Sequence, residues 1–489
     1  MMIVVPHPDQ PSCTSRSTGF LFPGLVLLCL VGACAVRGKA GSEILERALP
    51  QVPATVADTV YPFWADLGDP NLEAQVARAF QHNPSLLAMA AKLTQARAVA
   101  RKSGATDLPT LDASVGASLG LRDGPVGGPS TTRSLTLGLS ASYELDLWGR
   151  LEAEQAADRL EAEASREDLR TALITLAAET ATAWFGLVEQ LGQRTLLAGQ
   201  LATNTHVLAI IEARFRSGQI SVIDVLQQRQ LVEALAGERL QVETSLELQT
   251  NVLALLTGTL PEVPSPPEDL TLPGSVPSLP PLPLGTYLET ILARPDLRAA
   301  LHRVEAGDAR LSAALADRYP RLSLVAKAET TTEALADLFD NWLANLLANL
   351  TAPLLDGNRR TAEVELRRAR LDELAATYRH TYLRALREVA DALVRERQQV
   401  LYVQSLERQL TLSEQATTQT FSSYSKGALD FTRYLMTLLE DQRLRRTLLR
   451  ARREALDYRL ALHRVLAGPL PPSVSNDPAP TPPESGGTE

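Results

Sequence analysis

The chain has 489 residues, of which 45% are hydrophobic and only 5% aromatic, and its formal net charge is −9. This composition favours long packed helices over a core filled with aromatic rings. The acidic balance, without any run of five or more like charges, argues against a nucleic-acid partner.

The N-terminal segment has the features of an export signal. Cys13, Cys29 and Cys34 are the three cysteines of the chain, so later segments can form neither a disulfide nor a thiolate metal site. The apolar run over 20–34 is short for a membrane span and is typical of a secretory signal. It ends in V-G-A-C, which resembles the lipobox of bacterial lipoproteins, where the signal is cut before the cysteine and the thiol is acylated. An ordinary signal peptide with an incidental cysteine is the alternative.

The rest of the chain contains an internal duplication. HNPSL at 82–86 matches ARPDL at 293–297, and FRSGQISVIDVL at 215–226 matches YSKGALDFTRYL at 424–435. The matches occur in the same order and at nearly the same offset, which chance rarely produces.

The duplication sets the predicted organisation of the chain. A signal peptide over 1–33 and a lipidated segment over 34–69 precede copy one at 70–260 and copy two at 285–467. The linker over 261–284 contains nine prolines, which no regular helix accommodates. The tail over 468–489 has the composition of a disordered segment.

Each copy begins with one predicted helix and continues into two strands. Residues 111–121 and 134–143 alternate between apolar and small or polar side chains, and 322–329 and 342–350 repeat this pattern less cleanly. Strands of about ten residues with one apolar face fit transmembrane barrel strands. An ordinary half-buried antiparallel sheet would alternate equally.

A very long helix follows each pair of strands. The segment from Leu151 to Phe215 contains no proline, and at about 1.5 Å per residue it spans roughly 100 Å. Leucine and alanine at three- and four-residue spacing predict coiled-coil-like packing. Each copy supplies its own antiparallel partner helix after a tight turn.

The two turns are predicted to form helical hairpins. Gly218 and Gly427 can adopt the left-handed conformation that ends a helix, and Ser221 and Asp430 are placed to cap the return helices.

The junctions from strand to long helix carry a second group of candidate residues. Asp146 and Asp356 precede the helices, where negative charge is favourable near a helix N-terminus. Gly149 and Gly357 give the backbone freedom to change direction, and Trp148 is a candidate interfacial anchor.

Four strands cannot close a barrel, and open sheet edges are not tolerated in lipid. A membrane location therefore requires several chains to contribute strands to one shared barrel.

Catalytic signatures are missing from the sequence. The six histidines are scattered, and none pairs with a second histidine at ligand spacing on one helix face. There is no Walker loop and no nucleophile or dinucleotide motif. We therefore predict no enzyme activity, no cofactor and no metal site, and any energy source must be a partner protein.

A family resemblance is visible in YELDLWGR at 143–150, in APLLDGNRR at 352–360 and in the two hairpin turns. The chain resembles the outer-membrane efflux proteins, the TolC- and OprM-like channel components of tripartite pumps, and Cys34 suits their NodT-type lipoproteins. The resemblance implies a mainly α-helical fold with a membrane β-barrel. Three chains would share one twelve-stranded barrel in the outer membrane and extend a helical tunnel into the periplasm. The linker and chain ends would form an equatorial belt.

The resemblance also assigns positions in this sequence. It places the hairpins at the periplasmic end, where the family narrows to a gate and meets its adaptor protein. Copy two departs from the family pattern, because Thr432 and Arg433 stand where leucine and aspartate often follow the cap. The expected gate and adaptor tip comprises Gly218, Ser221, Asp224, Gly427, Asp430 and Arg433. Asp430 thereby has a second interpretation besides the cap, because three copies around the axis of the implied trimer would form a negative constriction that binds cations or pairs with Arg433 of a neighbouring chain. The expected barrel-to-tunnel transition comprises Tyr143, Asp146, Trp148, Gly149, Pro353, Asp356 and Gly357.

The expected function is a passive exit duct for small molecules such as drugs and toxic compounds. A homotrimer anchored in outer-membrane lipid would be driven by an inner-membrane transporter of the RND type through a periplasmic adaptor. One alternative is the exit channel of a type I (ABC) secretion system, which exports polypeptides. Another is a structural coiled-coil lipoprotein without a pore.

Overall fold

The structure is a computed structural model that describes residues 60–122, 130–260, 287–337 and 339–467. The predicted signal peptide, Cys34, the proline-rich linker and the tail lie outside the described residues.

The described elements repeat in the same order in the two halves of the chain. The first half contains α1 (Pro70–His82), α2 (Pro84–Gly104), β1 (Thr110–Arg122), β2 (Ser130–Leu145), α3 (Arg150–Arg216) and α4 (Val222–Thr257). The second half contains α5 (Leu288–Leu292), α6 (Pro295–Ala316), β3 (Arg321–Thr332), β4 (Leu343–Thr351), α7 (Arg359–Ser425) and α8 (Phe431–Leu466).

The long helices and their return partners have matching lengths. Helices α3 and α7 contain 67 residues each, and α4 and α8 contain 36 each. The predicted continuous helix and the two helical hairpins are confirmed. One stretch of α3 is apolar enough to cross a membrane, but it is mostly buried within the protein, as a core helix is.

The prediction of a single helix before each pair of strands is wrong. Two helices are present in each half, because Pro84 and Pro295 each begin a new one. A residue that precedes proline is pushed out of the helical conformation. Asn83 accordingly has φ −65° and ψ 118°, and its side-chain oxygen caps α2 by accepting the Leu86 N–H at 3.0 Å.

These two helix breaks have a packing role that the sequence did not indicate. Asn83 Nδ2 donates to the Leu256 carbonyl at 2.9 Å, near the end of α4. Arg294 occupies the matching position in the second half, and its guanidinium donates to the Val465 carbonyl at 2.9 Å, near the end of α8. In both halves, the residue before the proline therefore ties the short helices to the end of the return helix.

The four strands form one antiparallel sheet in the order β1-β2-β3-β4. The register pairs Leu139 with Ala113 on one side and with Ala328 on the other. Ala328 pairs in turn with Ala344. Most apolar residues of the four strands therefore lie on one face, as predicted, and most small or polar residues lie on the other. The exceptions on the polar face are Val325, Leu343 and Leu347.

Candidate functional site: the hairpin tips and the strand-to-helix junctions

Both hairpin turns end their long helix with a glycine in the left-handed conformation. Gly218 has φ +69° and Gly427 has φ +75°. The N–H that follows each glycine reaches back to a carbonyl of the last helical turn, Gln219 to Arg214 at 3.0 Å and Ala428 to Ser423 at 2.9 Å. This pattern is a Schellman cap, which satisfies carbonyls that would otherwise lack partners.

The return helices begin with side-chain caps at the expected positions. Ser221 Oγ accepts the Ile223 N–H at 3.1 Å, and the Asp224 carboxylate accepts the Ser221 N–H at 3.1 Å, which together form a capping box. Asp430 accepts the Arg433 N–H at 2.8 Å. Asp430 therefore caps α8 in the structure, as one of its two interpretations predicts. Its role as a gate residue stays a prediction.

An aromatic cluster joins the two hairpin ends. Phe431 and Tyr434 of α8 pack with Ile211 of α3 in a buried apolar group. Tyr424, in the last turn of α7, stacks on Tyr434 with ring centroids 5.8 Å apart, and the Arg214 guanidinium lies 4.7 Å from the Tyr424 centroid. Stacking and cation–π attraction each stabilise such a contact by roughly 0.5–1.5 kcal/mol.

This cluster is not among the predicted site residues, although the sequence contains a signal for it. Aromatic residues are only 5% of the chain, yet four of them lie within two helical turns of Gly427, namely Phe421, Tyr424, Phe431 and Tyr434. The cluster connects the hairpin that contains Ser221 to the hairpin that contains Asp430.

Residues in the left-handed conformation precede both long helices at the strand-to-helix junctions. Gly149 has φ +73° and caps α3, while Gly357 and Asn358 have φ values of +63° and +65° before α7. The second junction thus uses two consecutive left-handed residues where the first uses one.

The two junction aspartates bind the first turns of the long helices. Asp146 accepts the Glu152 N–H at 2.9 Å. Asp356 accepts the Arg360 N–H at 3.3 Å and the Arg360 guanidinium at 3.2 Å. Its slight burial works to raise the pKa of Asp356, but the hydrogen bonds and charge of Arg360 outweigh this and hold the pKa below its usual value.

Trp148 connects the two halves at the junction. Its Nε1 donates to the Pro320 carbonyl at 2.7 Å, and its ring stacks on Tyr319 with centroids 4.9 Å apart. Tyr143 lies opposite Leu324 on the apolar face of the sheet. Pro353 follows the end of β4, where its lack of an N–H removes no ladder hydrogen bond.

The described residues include no group of three or more histidine, cysteine, aspartate or glutamate side chains placed to hold a metal ion. The hairpin tips contain helix caps, tight turns and aromatic contacts, and the strand-to-helix junctions add ion pairs such as that between Asp356 and Arg360.

Comparison with known proteins agrees with this architecture. The family model described as "Outer membrane efflux protein" matches residues 76–259 and 287–468. The chain is 30% identical over 462 residues to the pyoverdine export outer membrane protein OpmQ of Pseudomonas aeruginosa, which covers 89% of this chain and 93% of OpmQ. It is also 30% identical over 438 residues to outer membrane protein OprJ of the same species, covering 86% and 90% of the two chains. The solved structure of the outer-membrane channel OprN superposes with a TM-score of 0.76 at 25% identity, covering 86% of this chain and 95% of OprN.

Proposed function

Because this chain belongs to the outer membrane efflux protein family and has a TolC-like fold, we propose that it is the outer-membrane channel of a tripartite efflux system. The channel is a passive exit duct, and an inner-membrane transporter, of the RND type, drives export through a periplasmic adaptor. The name of OpmQ specifies export of pyoverdine, which favours a small-molecule cargo over a polypeptide.

The observation that carries the proposal is the two-faced sheet. One face collects leucine and alanine side chains from all four strands, and the opposite face places polar residues such as Ser140, Lys327 and Asn345 side by side. A barrel with this alternation turns its apolar face to lipid and encloses water on the polar face.

The sheet edges support a homotrimer. Among the described strands, β1 and β4 each pair with one neighbour only. An unpaired edge is not tolerated within lipid, so strands from sister chains complete the ladder. Three chains with four strands each form the twelve-stranded barrel.

The outer helices of one chain also have surfaces that a second chain is expected to cover. Helices α4 and α7 flank α3 and α8 and carry exposed apolar side chains along their length. Surfaces of this kind mark contact sites, and sister chains cover them in the trimer. The residues are Leu226, Leu240, Leu248 and Leu255 on α4 and Leu383, Val394, Leu401 and Leu412 on α7.

The proposal predicts a detergent-dependent trimer that conducts ions. Membranes containing the full chain are extracted in mild detergent, the mass is measured by light scattering, and current is recorded in planar bilayers. The Cys34→Ala variant, which removes the proposed acyl anchor, is expected to lose incorporation of labelled palmitate and to remain a membrane-bound trimer. A Cys34→Ala protein that is monomeric and soluble without detergent would contradict the channel and favour a structural coiled-coil lipoprotein.

We further propose that the two hairpin tips form the periplasmic gate and the adaptor contact, and Asp430 provides the test. Asp430→Asn keeps an acceptor for the Arg433 N–H but removes the charge, while Asp430→Ala removes both. We expect both variants to raise the basal current, because each removes a negative constriction. Only Asp430→Ala should also lose about 1 kcal/mol of stability from the cap.

The control is Ser221→Ala at the other tip, which removes a cap without changing charge. If Asp430→Asn conducts like the native channel while Asp430→Ala and Ser221→Ala conduct more, the caps rather than the charge control the gate.

A further inference from the structure

An arginine-lined cavity lies at the strand-to-helix junction. It has a volume of about 570 Å³ and is bounded by α2, α3, α6, the first residue of β3 and the first turns of α7. Five arginines and four carboxylates line it. Their hydrogen bonds decide which of the positive charges are available to a ligand.

Three of the arginines are occupied by carboxylates of the cavity itself. Arg321 and Arg360 share Asp317, and Arg360 Nε lies 3.1 Å from Asp317 Oδ2. Arg367 Nε lies 2.7 Å from a Glu363 oxygen. Burial works to raise the pKa of Asp317, but the hydrogen bond and charge of Arg321, followed by those of Arg360, hold it below its usual value. Asp317 is therefore ionised at neutral pH and stays with these partners.

A third carboxylate of the lining is paired with an arginine that lies outside it. Glu154 lies 3.0 Å from the guanidinium of Arg150, which is not a lining residue. This carboxylate consequently offsets little of the positive charge inside the cavity.

Two arginines keep unused donors. The Arg310 guanidinium forms ion pairs with Asp158 and Glu161 at 3.7 and 3.6 Å. Both distances exceed that of a hydrogen bond, so the N–H donors of Arg310 are not used by these carboxylates. Arg359, in the first turn of α7, is exposed and forms no ion pair within 4 Å with any carboxylate of the described chain. A guanidinium presents a planar fork of N–H donors that matches phosphate and carboxylate groups.

The sheet indicates whether the cavity opens toward the polar face or toward the apolar face of the strands. Arg321 pairs with Thr351 and alternates with Leu322, so it belongs to the polar face of β3 together with Ser323 and Lys327. This assignment rests on the proposed function, in which the polar face encloses the passage. A solute in the passage can reach the cavity, whereas the lipid-facing surface lies on the opposite side.

We propose that this cavity is an anion-binding site, in which Arg310 and Arg359 bind a phosphate or carboxylate group of a solute in the passage. The occupied arginines hold the walls in place, and the two available guanidinium groups supply the charge-assisted hydrogen bonds. The cavity would retain anionic cargo for longer than neutral cargo of equal size.

The test uses the full-length native protein in detergent, titrated with sodium pyrophosphate at constant ionic strength in a calorimeter. We expect saturable binding that weakens at least about tenfold in the Arg310→Gln/Arg359→Gln double variant, because both bidentate contacts are lost. Arg368→Gln is the matched control, since Arg368 is exposed on the same helix and does not line the cavity. If the double variant fails to fold, Arg359→Gln alone replaces it, because Arg359 is exposed and unpaired in the described chain.

Two further measurements separate the possible outcomes. In nanodiscs, preferential retention of phosphatidylglycerol over phosphatidylcholine, lost in the double variant, would identify a lipid headgroup as the ligand and overturn the solute assignment. In planar bilayers, a channel that conducts but shows the same pyrophosphate affinity in native and double-variant protein would overturn the anion site alone. Absence of any current would instead count against the proposed function.

Discussion

Gly258→Ala is expected to destabilise the protein by more than about 2 kcal/mol, because position 258 combines a strained conformation with a blocked Cβ position. Gly258 has φ +66°, and a Cβ atom built there would lie 2.2 Å from the His82 carbonyl oxygen. The obstacle is backbone and cannot rotate away. The adjacent Asn83–Leu256 hydrogen bond also holds α1 against the end of α4, so relief of the clash would separate the two helices.

Two other substitutions serve as controls for the Gly258 prediction. Gly237 lies inside α4, and a Cβ atom added there would have no heavy atom within 4 Å, so Gly237→Ala should stabilise the protein by about 0.5–1 kcal/mol. Ala467 occupies the position after α8 that matches Gly258, with φ +53°, and Ala467→Gly should relieve strain of up to about 1 kcal/mol. Urea midpoints followed by circular dichroism at 222 nm measure all three. If the Gly258→Ala protein is as stable as the Gly237→Ala protein, the His82 carbonyl at the end of α1 does not lie close to position 258.

Local periodicity made much of the fold predictable. The alternation of Leu135, Leu137 and Leu139 is a property of neighbouring residues, and so is the three- and four-residue spacing in α3. The glycine turns were predictable for the same reason, because a left-handed residue at Gly218 or Gly427 is required wherever a helix reverses within a few residues.

Features that depend on distant parts of the chain were not predictable in this way. The pairing of β2 with β3 brings Leu139 opposite Ala328, and no local pattern specifies that neighbour. The unused donors of Arg310 depend on distances to Asp158 and Glu161 across two helices. The break at Pro84 is different in kind, since the restriction that a proline places on the preceding Asn83 is a local property of the sequence.

Glu396→Ala is expected to destabilise the protein by about 3–5 kcal/mol, because it removes one partner of a buried ion pair. Glu396 of α7 and Arg459 of α8 have side chains only 3% and 7% exposed. Arg459 Nε donates to a Glu396 oxygen at 3.2 Å. Without Glu396, the guanidinium remains buried and lacks the carboxylate that offsets its cost of desolvation.

The first half of the chain shows that this packing does not require charge. The boundaries of the long helices and of their return helices differ by 209 residues between the halves, which places Leu187 and Thr250 at the positions that match Glu396 and Arg459. We therefore expect the double variant Glu396→Leu/Arg459→Met to recover most of the stability that Glu396→Ala loses. Glu440→Ala, which breaks an exposed pair with Arg443, should change stability by less than about 1 kcal/mol. If Glu396→Ala loses no more stability than Glu440→Ala, water reaches the Glu396–Arg459 pair and burial does not determine how much the pair contributes. If the double variant is as unstable as Glu396→Ala, the ion pair itself is needed to hold α7 against α8.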